Sequence, residues 1–141
     1  MSSLPTQPDL EAAAQKMLAA DRLSNSLGVE LRAIGPGRAT MSLTVGDDMV
    51  NGHAICHGGV VFALADSASA YASNSWGPHA VTAMASVEYF SPARQGETLT
   101  ATAQETQRVG RKALVDVVVT GPDGRLIAAL RCHTTQLRIG P

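Results

Sequence analysis

Apolar positions along the chain change period several times, and the changes divide it into elements. From residue 9 to about 24, Leu10, Ala13, Ala14, Met17, Leu18 and Leu23 recur at three- and four-residue spacings, as on one face of a helix. Asp9 is placed to cap its start, and Gly28 breaks the pattern. Residues 29–34 and 39–45 read as two strands around the turn Gly35-Pro36-Gly37. The second alternates cleanly, with Ala39, Met41, Leu43 and Val45 set against Thr40, Ser42 and Thr44. A polar loop, 46–57, leads into a helix from Gly58 to about Ser75, ended by Trp76-Gly77-Pro78.

From His79 onward the text is of strand type. Residues 80–90 form one run, closed by Ser91-Pro92. Residues 98–108 alternate, residues 113–120 are valine-rich, and Gly121-Pro122-Asp123-Gly124 marks a hairpin before a last strand over 125–138. The order is helix, two strands, one long helix, four strands. Consecutive strands on short turns predict an antiparallel sheet, and one long helix must cover one of its faces. The fold class is α+β, a sheet wrapped around a single central helix.

The 141 residues suit one domain over 1–141, with 1–8, polar and carrying two prolines, expected as a loose tail. Apolar residues make up 45% and charged ones 16%, a balance that argues against disorder. A net charge of -1 gives no general attraction to nucleic acid or anionic membrane. No apolar run reaches the length of about 18 residues needed to cross a bilayer, and the start does not read as a signal peptide. Two cysteines are too few for a disulfide framework, so a cytoplasmic setting is expected.

The central helix carries the chemical signal. It holds no lysine or arginine, and between Asp48 and Glu88 its Asp66 is the only formally charged side chain. A helix so apolar is expected to be buried. Val61, Leu64, Ala65, Ala68 and Ala72 form one stripe, while Asp66 shares another side with Phe62, Ser69 and Ser73. A carboxylate in a packed helix is costly, and such acids are enriched at working sites. The alternative is a structural acid hydrogen-bonded to Ser67 or Ser69. Upstream, Asn51-Gly52-His53 and His57-Gly58-Gly59 bring backbone N–H groups to the helix start, where anions and developing oxyanions are stabilised. On the glycines alone, a plain Gly-Gly turn is the better reading, because turns commonly use glycine.

Taken together, Asn51-Gly52-His53, His57-Gly58-Gly59, Leu64-Ala65-Asp66-Ser67-Ala68 and Ala72 resemble the phenylacetate-degradation thioesterases of the hotdog superfamily. The later run Val87-Glu88-Tyr89-Phe90-Ser91-Pro92, with Gly96-Glu97, is similar to that family's strand ending in an aromatic, a proline and a glycine turn. The resemblance extends over roughly residues 15–138. It implies hydrolysis of acyl-CoA thioesters with no metal and no cofactor beyond the coenzyme A of the substrate. It also implies a homodimer that pairs its sheets and builds each site between the two subunits, two such dimers forming a homotetramer.

In that likeness Asp66 corresponds to the nucleophile or the base for water, and Gly58 N–H to the donor that polarises the carbonyl. Asn51 corresponds to the side chain holding the water or acyl carbonyl, and His57 to a neighbour of the thioester. Gly59 and Ser67 flank these positions as candidate substrate contacts. Phe62 is a candidate for the acyl pocket or the core. Arg94, Arg111 and Lys112 are candidates for the phosphates of coenzyme A. Aromatic acyl groups such as phenylacetyl come first, medium aliphatic chains second.

Other chemistries fit less well. Cys56-His57 and Cys132-His133 are sequence neighbours, unlike the usual catalytic Cys–His pair. His53, Cys56 and His57 lack the spacing of ordinary zinc ligands, and no metal is expected. Hydratases of this fold carry a histidine where the chain has Tyr71. A non-catalytic acyl-CoA binder is the principal rival from another class, and it would not need Asp66.

Overall fold

The computed structural model describes residues 4–75 and 79–138. The chain begins with two helices, α1 (Gln7–Ala20) and α2 (Arg22–Leu27), followed by strands β1 (Glu30–Gly35) and β2 (Arg38–Thr44). A short 3-10 turn, Asp47–Met49, precedes the long helix α3 (Gly58–Asn74). Strands β3 (Ala80–Tyr89), β4 (Thr98–Val109), β5 (Lys112–Thr120) and β6 (Leu126–Gln136) complete the fold. None of the helices among the described residues is long and apolar enough to cross a membrane.

The first predicted helix is two helices. Asp21 divides it, because its carboxylate accepts from Ser24 N at 3.1 Å and Ser24 Oγ at 2.7 Å and so caps a new helix. The start also lies earlier than expected. Thr6 is the N-cap, and Asp9 is the reciprocal partner of a capping box, so Gln7 and Pro8 are helical rather than tail. Pro8 sits in the first turn, where a missing N–H costs nothing. The proposed stop at Trp76-Gly77-Pro78 lies outside the described residues.

All six strands pair antiparallel in the order β1-β2-β4-β5-β6-β3. The last four strands are therefore not a simple meander. β3 closes one edge beside β6, and residues 90–97 carry the chain from that edge back to β4. This crossover passes the loop before α3, where Cys56 N donates to Ala93 O at 2.7 Å and Ile55 bridges Arg94.

Helix α3 lies on the inner face of the sheet. Its predicted stripe of Val61, Leu64, Ala65, Ala68 and Ala72 is buried, against Met41, Leu43, Leu99, Ala101, Val117 and Leu130 among others. Each fully buried valine or leucine contributes about 1.5–3 kcal/mol. The alanines let the sheet approach closely.

Helix and sheet part company along β3. Phe62, Ala63, Asp66 and Ser67 are only half-buried, and most of β3 is exposed. The expectation of an all-round buried helix therefore holds for the stripe and for Ser69 and Ser73 beside it, but not for Phe62 and Asp66.

Candidate active site

His57 is the N-cap residue of α3, in an extended conformation, and its carbonyl accepts from Val60 N and Val61 N. Its side chain makes no capping hydrogen bond, and the ring is exposed. The N–H groups of Gly58 and Gly59 consequently have no partner among the described residues. They stand at the positive end of a 17-residue helix, as an oxyanion site requires.

The loop before the helix is built by Asn51. Its Oδ1 accepts from His53 N at 2.9 Å and Ile55 N at 3.2 Å, and Ala54 takes a left-handed φ of 61° in the tight turn this produces. Two N–H donors occupy the two lone pairs of the carboxamide oxygen. What Asn51 has left to offer a ligand is its Nδ2, a donor suited to a water or carbonyl oxygen.

Asp66 lies two turns into α3. Its Oδ1 accepts from the Thr82 hydroxyl on β3 at 3.2 Å, so the sheet orients the acid, rather than Ser67 or Ser69. Thr82 reaches the helix because β3 carries a bulge between Thr82 and Met84. Without it, strict alternation would turn Thr82 and Ala85 to opposite faces.

Beneath Asp66, Ser69 is fully buried and its Oγ lacks a hydrogen-bond partner among the described residues. Burial pushes the Cys132 thiol above its ordinary range, and the same is true of Cys56. A thiol whose pKa is raised by burial is the poorer nucleophile, which counts against a catalytic role for either cysteine.

The other candidate residues divide by position. Ser67 faces α2, its hydroxyl 3.3 Å from Ser24 Oγ, and is engaged there rather than beside Asp66. Tyr71, at the hydratase position, is buried, and its hydroxyl donates to Asp21 at 3.2 Å. Burial, reinforced by the Asp21 charge, pushes the phenol well above its usual range. Arg94 is exposed next to the Asn51 loop, bridged to Ile55 through the backbone. Arg111 and Lys112 are also exposed but lie elsewhere. Lys112 pairs with Thr135 and Arg111 reaches the Gln136 carbonyl, at the end of the sheet where Asn74 closes α3 against Ala80. In one chain they stand about a helix length, roughly 25 Å, from Gly58.

Two contributors escaped the sequence reading, Thr82 and the hydroxyl of Tyr89. Tyr89 donates to the Gly58 carbonyl at 2.8 Å. Together with Asn51, Gly58, Val61, Phe90 and Ile127 it lines a cleft of about 390 Å³ at the start of α3. A larger cleft of about 850 Å³ lies under α1, lined by Leu10, Met17, Ile34 and Tyr71, and includes neither Gly58 nor Asp66.

A six-stranded antiparallel sheet around one helix, with a lone acid two turns from a glycine start, defines a hotdog thioesterase. Residues 53–128 match the thioesterase superfamily, and the chain belongs to it; the protein is an enzyme of the thioester hydrolase class. The chain is 36% identical over 118 residues to the acyl-coenzyme A thioesterase PaaI of Escherichia coli K12, covering 84% of each chain. It superposes with a TM-score of 0.92 on the structure of the E. coli PaaI protein from the phenylacetic acid degradation operon, at 32% identity over 96% of this chain and 97% of that one. The structure of a point mutant of the phenylacetic acid degradation protein PaaI from Thermus thermophilus gives a TM-score of 0.80 at 35% identity, covering 83% of this chain and 100% of that one.

Proposed function

We propose that this protein hydrolyses aromatic acyl-CoA thioesters of the phenylacetyl type to the free acid and coenzyme A. The observation that carries this reading is Asp66, the one formal charge on α3, held by Thr82 on the open side of the helix whose glycine start offers uncapped N–H groups. In this reading the thioester carbonyl is polarised by Gly58 N–H of one subunit, and Asp66 of the partner subunit acts as base for water or as nucleophile, because eight residues of helix hold the two about 12 Å apart in one chain. His57 stands exposed beside the leaving thiolate, and Asn51 donates through Nδ2. Tyr89 and Phe90 give the cleft at Gly58 an aromatic lining that favours an aromatic acyl group, while Phe62 packs against the core. The name of the E. coli relative and its place in a phenylacetic acid degradation operon support the same substrate class.

The reading includes a homodimer formed through β3. That strand ends the sheet, exposes Val81, Met84 and Tyr89, with Phe90 exposed just beyond it, and is an unpaired edge among the described residues. The other edge, β1, is packed by α1 and carries the ion pair Glu30–Arg32. Two-fold pairing of antiparallel β3 strands would set the Ala80 end of one against the Tyr89 end of the other. Arg111 and Lys112 of a second copy would then approach the Gly58 end of the first, where Arg94 already lies, and supply cations for the coenzyme A phosphates. A pair of such dimers gives the homotetramer.

The test is free-thiol release from a panel of acyl-CoA thioesters. The expected result is kcat/KM highest for phenylacetyl-CoA or its ring-hydroxylated forms. A preference for octanoyl-CoA would replace the aromatic assignment with a medium-chain one. Tight binding without turnover across the panel would make the protein an acyl-CoA binder.

A further inference from the structure

The peptide unit joining Gly58 to Gly59 has its carbonyl on Gly58 and its N–H on Gly59. We propose that Tyr89 is a positioning residue for thioester activation: by donating its hydroxyl proton to that carbonyl, it fixes and polarises the first peptide of α3 and makes Gly59 N–H a second donor to the thioester oxygen. This rests on the reading of the α3 start as the oxyanion site.

Three observations carry it. The Tyr89 hydroxyl lies 2.8 Å from Gly58 O, and a carbonyl oxygen only accepts, so the phenol is the donor. Helical carbonyls normally take one bond, from the N–H four residues on, which leaves a lone pair for the tyrosine. A hydrogen bond at one end of a peptide unit strengthens the donor at the other.

Second, the approach is close. A Cβ at Gly58 would lie 3.3 Å from the Tyr89 ring carbon and 3.3 Å from its hydroxyl, so a side chain there would push the phenol back by a few tenths of an ångström. Third, the hydroxyl is presented by regular structure rather than by a loop. Tyr89 pairs with Ala128 of β6, and Phe90 N donates to Ile127 O at 2.8 Å, so the sheet sets where the hydroxyl sits. Tyr89→Phe keeps the ring and removes only the hydroxyl, so packing of the aromatic is left in place.

The experiment uses Asp66→Asn protein to hold phenylacetyl-CoA, labelled with carbon-13 at the thioester carbonyl, uncleaved in the site. The infrared carbonyl stretch of the bound thioester is read with and without Tyr89→Phe, and kcat, KM and Tm are measured for Tyr89→Phe alone. The expected result is a downshifted stretch in the Asp66→Asn protein that relaxes toward the free value when Tyr89→Phe is added. For Tyr89→Phe alone, kcat should fall roughly fivefold, about the loss of one neutral hydrogen bond, with KM and Tm nearly unchanged. A downshift that survives Tyr89→Phe intact, or a lowered Tm with unchanged kcat, would overturn the proposal and leave the oxyanion reading standing. If no downshift appears even with Tyr89 present, the oxyanion reading fails and the role of Tyr89 fails with it.

Discussion

At the scale of the residue, the proposed chemistry depends on how Asp66 is held. Its Oδ1 is fixed by one hydroxyl from the sheet, and the rest of the carboxylate is left toward the open side of α3. Replacing Thr82 with valine keeps the shape and removes that donor. We expect kcat to drop about tenfold, with Tm changed little because the threonine is exposed. Steady-state kinetics and thermal melts on T82V check both halves, and unchanged kcat would show that Asp66 needs no partner from β3. Asp66 stood out in the sequence as a candidate because it is a single charge among alanines and serines in a helical run. Thr82 was not, since its inward orientation depends on a bulge that shifts the phase of the strand, and alternation alone cannot locate a bulge.

At the scale of the element, α3 is a helix of small residues selected for close approach. Ala68 is fully buried, and Ala68→Leu inserts three carbons where the sheet lies against the helix. The expected destabilisation is about 1–3 kcal/mol, read as a lower denaturation midpoint with a similar slope. The crossover after β3 is held differently. Glu97 accepts from Arg94 N at 2.6 Å and from Arg125, and the Arg94 amide, followed by the Arg125 guanidinium, holds its pKa below the ordinary value of 4.5. A carboxyl whose folded pKa is depressed adds stability above the unfolded value and loses it as pH falls through the folded one. Wild type should therefore lose more Tm than Glu97→Gln between neutral pH and pH values under 4.5, and parallel curves for the two would contradict the assignment.

Element positions were largely legible, since the period changes at residues 28, 57 and 79 mark real boundaries within a residue or two. What the pattern could not give was the break at Asp21, where a side-chain cap interrupts an otherwise continuous apolar stripe. Nor could it give the placement of β3, because strand order depends on long-range pairing that no local window contains.

At the scale of the whole molecule, the half-open side of α3 and the exposed edge β3 are one feature. Each chain leaves Asp66 beside an edge that a second copy would cover. Met84, 57% exposed at the centre of β3, is where a charge would oppose that pairing. We expect Met84→Lys to yield a monomer by light scattering and to lose activity in parallel, while a fully active monomer would show that one chain suffices. The distance between Arg111 or Lys112 and Gly58 was not readable from the sequence, which orders residues along the chain but does not fold their ends apart.

The most direct test is the hydrolysis of phenylacetyl-CoA by wild type and by Asp66→Asn, with folding of both confirmed by Tm. The account predicts turnover by the wild type and a loss of about two or more orders of magnitude in kcat for the variant, the size expected for a missing base or nucleophile. An Asp66→Asn protein that hydrolyses the thioester at the wild-type rate would contradict it, and would leave the acid a structural link between α3 and β3.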